Sequence, residues 1–152
     1  IGPLINDKQV ANVKSQLDDA FAKGAKAVLG GNINGRFVDP TILVGVTPDM
    51  TVYQDETFGP VAPVIPFRTD DEAIAIANDN LYRLTGNLTG RQERAQGVAK
   101  RIRTGNVHVN GSGPDFSAPF GGFKQSGNGR EWGDFGFEEF LEIKAILGFT
   151  AA

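Results

Sequence analysis

The chain has 152 residues, of which 40% are hydrophobic and 22% charged, a composition typical of a soluble globular domain with a real core. Its formal net charge of −3 disfavours nucleic acid as a partner, because phosphate binding requires a basic surface. The chain has no cysteine and a single histidine, which excludes disulfides, a cysteine nucleophile and a multi-histidine zinc site within these residues.

The first predicted element is a helix over residues 7–23. Its apolar positions recur at helical spacing and form one stripe of Val10, Val13, Leu17 and Phe21. A short strand over residues 25–29 follows, and residues 37–46 are partly extended, with Pro40 restricting them to an edge or bent strand. We expect this N-terminal helix to flank an α/β layer formed by the middle of the chain.

The middle of the chain alternates strands and helices. Strands are predicted over residues 61–67, 84–88 and 106–110, and helices over residues 69–80 and 91–103. Because consecutive strands separated by helices usually pair in parallel with right-handed crossovers, this order predicts a parallel βαβαβ layer. The predicted fold class is therefore α/β.

The C-terminal part begins with a glycine-rich loop over residues 111–133, and loops of this length are usually functional. A short aromatic helix over residues 134–141 follows. Residues 145–149 are predicted to form a terminal strand without a local partner, and such an edge tends to pair with another chain. No apolar run approaches the roughly 18 residues of a membrane span, and no signal peptide is recognisable, which favours a cytoplasmic protein without membrane contact.

Two segments of the chain carry distinctive motifs. Residues 54–60 read QDETFGP, and residues 119–131 read PFGGFKQSGNGRE. They resemble, respectively, the Glu-x-Phe-Gly-Pro motif and the C-terminal Pro-Phe-Gly-Gly-aromatic-Lys-x-Ser-Gly-x-Gly-Arg-Glu signature of the aldehyde dehydrogenase superfamily. Shorter matches at residues 2–5, 39–41 and 105–110 have the same order and spacing as in the family. The resemblance covers essentially the whole chain.

The resemblance implies the C-terminal portion of such an enzyme, and the first residue, Ile1, also suggests a fragment. Residues 1–144 would be part of the catalytic domain, and residues 145–152 would be an oligomerisation strand that pairs with a neighbouring subunit of a homo-oligomer. The parent reaction would be oxidation of an aldehyde to a carboxylic acid with NAD or NADP through a cysteine thioester. The nucleophile, the glutamate base and the dinucleotide-binding domain would lie outside these residues, so the isolated chain is expected to be inactive and to bind cofactor weakly.

The resemblance also implies roles for four side chains. The carboxylate of Glu56 would accept hydrogen bonds from the hydroxyls of the nicotinamide ribose, since it offers acceptors to two adjacent hydroxyls. The ring of Phe58 would lie beside the nicotinamide. Phe120 would line the aldehyde tunnel, and Phe116 is a weaker candidate because the preceding loop varies in length across the family.

Other interpretations stay open from the residues alone. Instead of binding cofactor, Glu56 could be an ordinary carboxylate of a loop and Phe58 an ordinary core residue. Instead of lining the tunnel, Phe120 could anchor its own loop. Arg83 stands where the family usually has glycine, which would strain the backbone if that position requires a positive φ. The alternative function is a stand-alone truncated, non-catalytic module that oligomerises or binds a partner.

Overall fold

The computed structural model describes residues 1–148. By its internal contacts the chain divides into two compact units, Ile1–Asn80 and a second unit that begins at Leu81. Within the described residues, none of the helices combines the length and the hydrophobicity needed to cross a bilayer.

The first unit contains three helices and five strands, in the order α1 (Asp7–Ala22), β1 (Lys26–Leu29), β2 (Ile33–Asn34), β3 (Phe37–Val38), β4 (Thr41–Val44), α2 (Thr51–Gln54), β5 (Val61–Val64) and α3 (Asp70–Ala77). Strand β4 is the central strand of a three-stranded sheet, antiparallel to β1 and parallel to β5. Strands β2 and β3 form a short antiparallel pair.

Helix α1 is capped at its start by Asn6, whose side chain accepts a hydrogen bond from the Gln9 N–H at 2.9 Å. The buried core of the unit joins this helix to β4 and α2 and includes Val13, Leu17, Ala20, Leu43, Met50 and Val52. The predicted apolar stripe is only partly correct, because Phe21 is 39% exposed and the buried face includes the polar Gln16 instead. The amide of Gln16 is accommodated there because it bonds to the loop that follows α2.

Asp19 ties α1 to the start of α2. Its Oδ2 accepts hydrogen bonds from the Thr51 N–H at 2.8 Å and the Thr51 hydroxyl at 3.0 Å. Lys23 Nζ lies 2.8 Å from the other carboxylate oxygen. The hydrogen bond from Lys23, together with those from Thr51, holds the pKa of Asp19 below its ordinary value of 3.8. The carboxylate thereby holds the helix that leads into residues 55–60.

We expect Asp19→Asn to destabilise the protein at neutral pH, and the difference from the wild type should shrink in acid. A carboxyl whose pKa is lower in the folded state contributes stability that is present above 3.8 and lost as the pH falls through the folded-state value. Urea unfolding of both proteins from neutral pH to below 3.8 measures this. Asp18→Asn is the matched control, since that carboxylate pairs with Lys14 at the surface; equal losses in the two variants at neutral pH would contradict the assignment.

The second unit contains β6 (Tyr82–Arg83), β7 (Thr85–Leu88), α4 (Gln92–Ala99), β8 (Asn106–Val109), β9 (Phe123–Lys124) and α5 (Gly133–Glu138). Strands β7 and β8 pair in parallel and are connected by α4, which confirms this βαβ unit. Strand β9 returns from the glycine-rich segment and pairs antiparallel with β6.

The mixed α/β class is confirmed, but the single parallel βαβαβ layer is wrong. Strand β5 pairs with β4, and strand β7 pairs with β8, so the three predicted strands do not share one sheet in the described part of the chain. The alternation of strands and helices indicates the class but does not specify which strands become neighbours. Here β4 supplies the parallel partner of β5, and the crossover between them contains α2.

The predicted terminal strand is not formed within the described residues. Residues 141–148 contain neither helix nor strand, and residue 149 lies outside the described part of the chain. A strand requires a neighbour for its backbone N–H and C=O groups, and no described strand pairs with this segment. Its apolar side chains are exposed, including Ile143 at 98% and Leu147 at 91%. The domain boundary at residue 145 stays a prediction.

Candidate functional site

The QDETFGP segment forms an exposed loop that leaves the end of α2. The Asp55 N–H donates to the Thr51 carbonyl at 2.9 Å, which closes the helix just before Glu56. The side chain of Glu56 is exposed, and none of the hydrogen bonds or ion pairs among residues 1–148 engages its carboxylate. Phe58 has a φ of 44° and its side chain is 74% exposed. The loop thus presents a carboxylate and an aromatic ring to the outside.

Two glutamines on one face of α1 bind the backbone of this loop. The amide of Gln9 donates to the carbonyl oxygens of Thr57 at 2.7 Å and Phe58 at 3.1 Å. The amide of Gln16 donates to the carbonyl of Glu56 at 3.3 Å, and its own oxygen accepts from the Thr57 hydroxyl at 2.7 Å. Three consecutive residues of the loop are therefore held by α1 through their main-chain carbonyls.

Packing holds the same loop at Gly59. A Cβ placed there would lie 2.7 Å from Cγ2 of Val13, which is fully buried. The left-handed conformation of Phe58 costs energy for a residue with a side chain, and such conformations persist where the surroundings determine them. Here the surroundings are the Gln9 amide and the contact between Gly59 and Val13.

The Glu56 carboxylate and the Phe58 ring suit the nicotinamide and its ribose, the ligand groups that the resemblance implies for them. A carboxylate that is exposed and not engaged by described side chains is suited to accept hydrogen bonds from two adjacent hydroxyls. An exposed phenyl ring two residues later offers flat apolar area to a planar ring. The structure thus brings Glu56 and Phe58 together on one loop held by α1, and within the described residues Phe58 is not part of the core of the first unit.

The second unit carries an aromatic group that consists of Phe116, Phe120 and Trp132. Phe120 stacks on Trp132 with ring centroids 4.6 Å apart, and Phe116 lies at the same centroid distance from Trp132 in a tilted arrangement. The main chains of Phe120 and Glu131 form a β-bridge with two hydrogen bonds of 2.7 Å. Phe120 is half-buried, whereas Phe116 is 68% exposed.

The signature segment around this group is tightly packed. Arg130 donates through Nη1 to the carbonyls of Gly122 at 3.1 Å and Gly129 at 2.6 Å, and its guanidinium lies 5.2 Å from the centre of the Phe123 ring. A Cβ at Gly122 would lie 2.4 Å from Ser126. The glycines of the signature therefore allow close backbone approach. Arg130 links two parts of this segment by its hydrogen bonds to the carbonyls of Gly122 and Gly129.

The turn that carries Phe116 is organised by Asp115. Its carboxylate accepts hydrogen bonds from the Ser117 hydroxyl at 2.6 Å and the Ser117 N–H at 2.9 Å, and these bonds lower its pKa. An open cavity of about 650 Å³ lies beside the aromatic group within the second unit. Its lining includes Phe120, Arg130, Trp132, Phe137 and Phe140.

Arg83 is accommodated without the backbone strain that a glycine position could imply. It lies on β6, and it is not among the residues with a positive φ. Its side chain is 5% exposed and donates to the carbonyl of Arg103 at 3.2 Å, while its N–H donates to the Ser126 hydroxyl at 2.7 Å. The predicted difficulty at this position is therefore absent.

Sequence reasoning missed the two glutamines and the role of Trp132. Gln9 and Gln16 are seven residues apart, so they lie on one face of α1 together with Val13. Two amides within an otherwise apolar helix face were the available signal. The sequence offered no comparable signal for Trp132, because its contacts depend on the bridge between Phe120 and Glu131.

Comparison with known proteins gives one consistent result. A family model described as the aldehyde dehydrogenase family matches residues 1–146. The chain is 49% identical to 3-succinoylsemialdehyde-pyridine dehydrogenase of a Pseudomonas species, covering 100% of this chain and 33% of that protein. Among solved structures, a mutant aldehyde dehydrogenase C of Pseudomonas syringae in complex with NAD+ and octanal superimposes with a TM-score of 0.91 at 44% identity, covering 99% of this chain and 33% of that one. A Mycobacterium tuberculosis aldehyde dehydrogenase complexed with NAD+ superimposes with a TM-score of 0.88 at 39% identity, again covering 99% of this chain and 33% of that one. The chain therefore spans about a third of the length of the relatives it matches.

Proposed function

Because this chain belongs to the aldehyde dehydrogenase family, we propose that the complete protein oxidises an aldehyde to a carboxylic acid with NAD+ or NADP+ through a cysteine thioester. The observation that carries the proposal is the loop of residues 55–60, whose exposed carboxylate and exposed phenyl ring suit a nicotinamide ribose and its ring. Solved relatives that bind NAD+ support the choice of cofactor. The nicotinamide, when bound, accepts a hydride from the substrate.

The residues of the first unit bind and orient the cofactor in this proposal. Glu56 accepts hydrogen bonds from the two ribose hydroxyls, and a charged acceptor makes these bonds stronger than neutral ones. Phe58 covers one side of the nicotinamide ring and reduces its freedom to rotate. Because α1 holds the loop backbone, both side chains start from a fixed main chain and less ordering is required on binding.

The residues of the second unit line the aldehyde tunnel in this proposal. Phe120, stacked on Trp132, forms an apolar wall, and Phe116 adds a second ring. Apolar walls exclude water from the acyl group of the substrate. We assign Phe120 the larger role because it is half-buried and fixed by the bridge to Glu131, whereas Phe116 is exposed.

The nucleophile and the general base come from outside these 152 residues in this proposal. The chain contains no cysteine, so it supplies no thiolate for attack on the carbonyl. We accordingly propose that the isolated chain is inactive, and that residues 145–152 pair with a neighbouring subunit of a homo-oligomer in the complete protein. These 152 residues contain no cysteine for a disulfide, which is compatible with the cytoplasmic location that we propose for the complete protein.

The test is an assay of the full-length protein with NAD+ or NADP+ and a series of aldehydes that differ in chain length and polarity. We expect aldehyde-dependent formation of the reduced cofactor and of one equivalent of carboxylic acid, and no turnover by residues 1–152 alone. The matched control is the full-length protein after alkylation of its cysteines, which should be inactive. Full-length protein that forms no reduced cofactor with any aldehyde would favour the non-catalytic alternative.

A further inference from the structure

We propose that Gln16 is a positioning residue for Glu56: its buried amide fixes the peptide unit between residues 56 and 57, so that the Glu56 carboxylate faces the cofactor ribose. The inference rests on the function proposed above for Glu56. Gln16 lies on α1, 40 positions before Glu56 in the chain. It acts through the loop backbone, because a side chain that is 2% exposed cannot itself contact a bound cofactor.

Burial makes the Gln16 amide conspicuous. It lies on the helix face that also buries Val13, Leu17 and Ala20. A primary amide taken out of water is unfavourable unless its donor and its acceptor both find partners. Both do: Nε2 donates to the Glu56 carbonyl at 3.3 Å, and Oε1 accepts from the Thr57 hydroxyl at 2.7 Å. An apolar side chain would fill this position without that requirement, so the amide is best explained by what it holds.

The two bonds of Gln16 reach consecutive residues of the loop. One fixes the carbonyl of Glu56 and the other fixes the side chain of Thr57, so together they restrict rotation of the peptide unit between these residues. The direction of the Glu56 Cα–Cβ bond follows from that restriction, since the backbone on its C-terminal side is no longer free to turn.

Gln9 continues the restraint toward Phe58. Its amide donates to the carbonyls of Thr57 and Phe58, and Phe58 is held at a φ of 44°. Without the bonds to α1, relaxation of Phe58 to a negative φ would redirect the peptide units on either side. The buried amide of Gln16 fixes the N-terminal half of the loop against the same movement. The loop is thus organised before any cofactor is present, which lowers the ordering cost of binding.

The experiment compares four variants of the full-length protein: Gln16→Met, Thr57→Val, the double variant, and Gln54→Met as control. Methionine and valine keep the volume and remove the polar groups. Gln54 is an exposed glutamine two residues before Glu56, and its amide donates to the Pro48 carbonyl at 2.9 Å. The measurements are the Kd for NAD+ by calorimetry, KM and kcat, thermal unfolding without cofactor, and hydrogen exchange of residues 55–60 without cofactor.

We expect Gln16→Met to raise the Kd and the KM for NAD+ by about five- to twentyfold, as for loss of an interaction made by a buried polar group. The KM for the aldehyde should change by less than about twofold, because the substrate does not contact the loop in this proposal. Amides of residues 56–59 should exchange faster in the apo protein. Gln54→Met should match the wild type in all four measurements.

The double variant separates positioning from simple stability. Gln16→Met leaves the Thr57 hydroxyl without its partner and Thr57→Val leaves the Gln16 oxygen without one, whereas the double variant removes both members of this pair. We therefore expect its melting temperature to recover toward that of the wild type. Its affinity for NAD+ should stay low, because the bond to the Glu56 carbonyl is still missing. Affinity that recovers together with the melting temperature would overturn the positioning role.

The Kd of the Glu56→Gln variant for NAD+ is measured in the same way. This variant distinguishes failure of the present inference from failure of the proposed function. If Glu56→Gln weakens NAD+ binding and Gln16→Met does not, the positioning role is wrong and the role of Glu56 stands. If Glu56→Gln binds NAD+ as the wild type does, or if the wild type does not bind it, the proposed role of Glu56 is wrong and the inference falls with it.

Discussion

Replacing Glu56 by glutamine in the full-length protein is expected to raise the KM for NAD+ by about 10- to 100-fold. Hydrogen bonds to a charged group contribute about 1.5–3 kcal/mol each, and glutamine keeps one neutral acceptor in the same place. The substitution preserves the volume and the exposed position of the side chain. Because no described side chain engages the carboxylate, we expect the thermal stability of the apo protein to change little.

The control is Asp55→Asn, which removes the same charge one residue earlier in the same exposed loop. Initial rates at varied NAD+ and saturating aldehyde give KM and kcat for the three proteins. We expect Asp55→Asn to remain close to the wild type, because the proposed ribose contact belongs to one carboxylate and not to the net charge of the loop. Equal changes in both variants would indicate a long-range electrostatic effect and would contradict the direct contact.

Gly105→Ala is expected to destabilise the second unit by about 3 kcal/mol or more, at or beyond the upper end of the usual cost of overpacking. A Cβ at Gly105 would lie 1.5 Å from the carbonyl oxygen of Gly121 and 2.7 Å from its carbon. Both are main-chain atoms, so no rotamer change relieves the overlap. The backbone of Gly121 must shift, and with it the neighbouring Phe120 that stacks on Trp132.

Gly97→Ala is the matched control because the identical substitution there has the opposite expected sign. Gly97 lies within α4, and an added Cβ meets no atom within 4 Å. Alanine in a helix interior is more favourable than glycine by roughly 0.5–1 kcal/mol. Urea unfolding measures both effects. A Gly105→Ala protein as stable as the wild type would show that the close approach to Gly121 is not a constraint.

Local motifs predicted the candidate site residues, and periodicity predicted helices and strands but not how the strands pair. The QDETFGP segment identified Glu56 and Phe58, and both are exposed on one loop. Neighbouring residues determine only the start of this loop, through the closure of α2 at Asp55, whereas Gln9 and Gln16 hold its carbonyls from 40 or more positions away. Their roles in cofactor binding remain predictions that the variants above test.

Periodicity was less informative for helix α1 and for the sheets. The helix predicted over residues 7–23 ends one residue earlier, at Ala22, and its buried face includes Gln16, whereas the predicted Phe21 is 39% exposed. An amide becomes a core residue only where a distant segment supplies its partners, and Thr57 and Glu56 do so here. The pattern of residues 7–23 shows two amides on an apolar face but does not show which distant segment supplies their partners.

The amino-acid sequence by itself determined the α/β class, the βαβ unit of β7, α4 and β8, and the two signature segments, because these depend on local propensity and short spacing. Only the tertiary structure decided that β5 pairs with β4, that Gln16 is buried against the loop, and that Phe58 adopts a positive φ. These outcomes depend on hydrogen bonds and packing between segments far apart in the chain. Their energies appear only once both partners are in place, so the pattern of either segment alone does not reveal them.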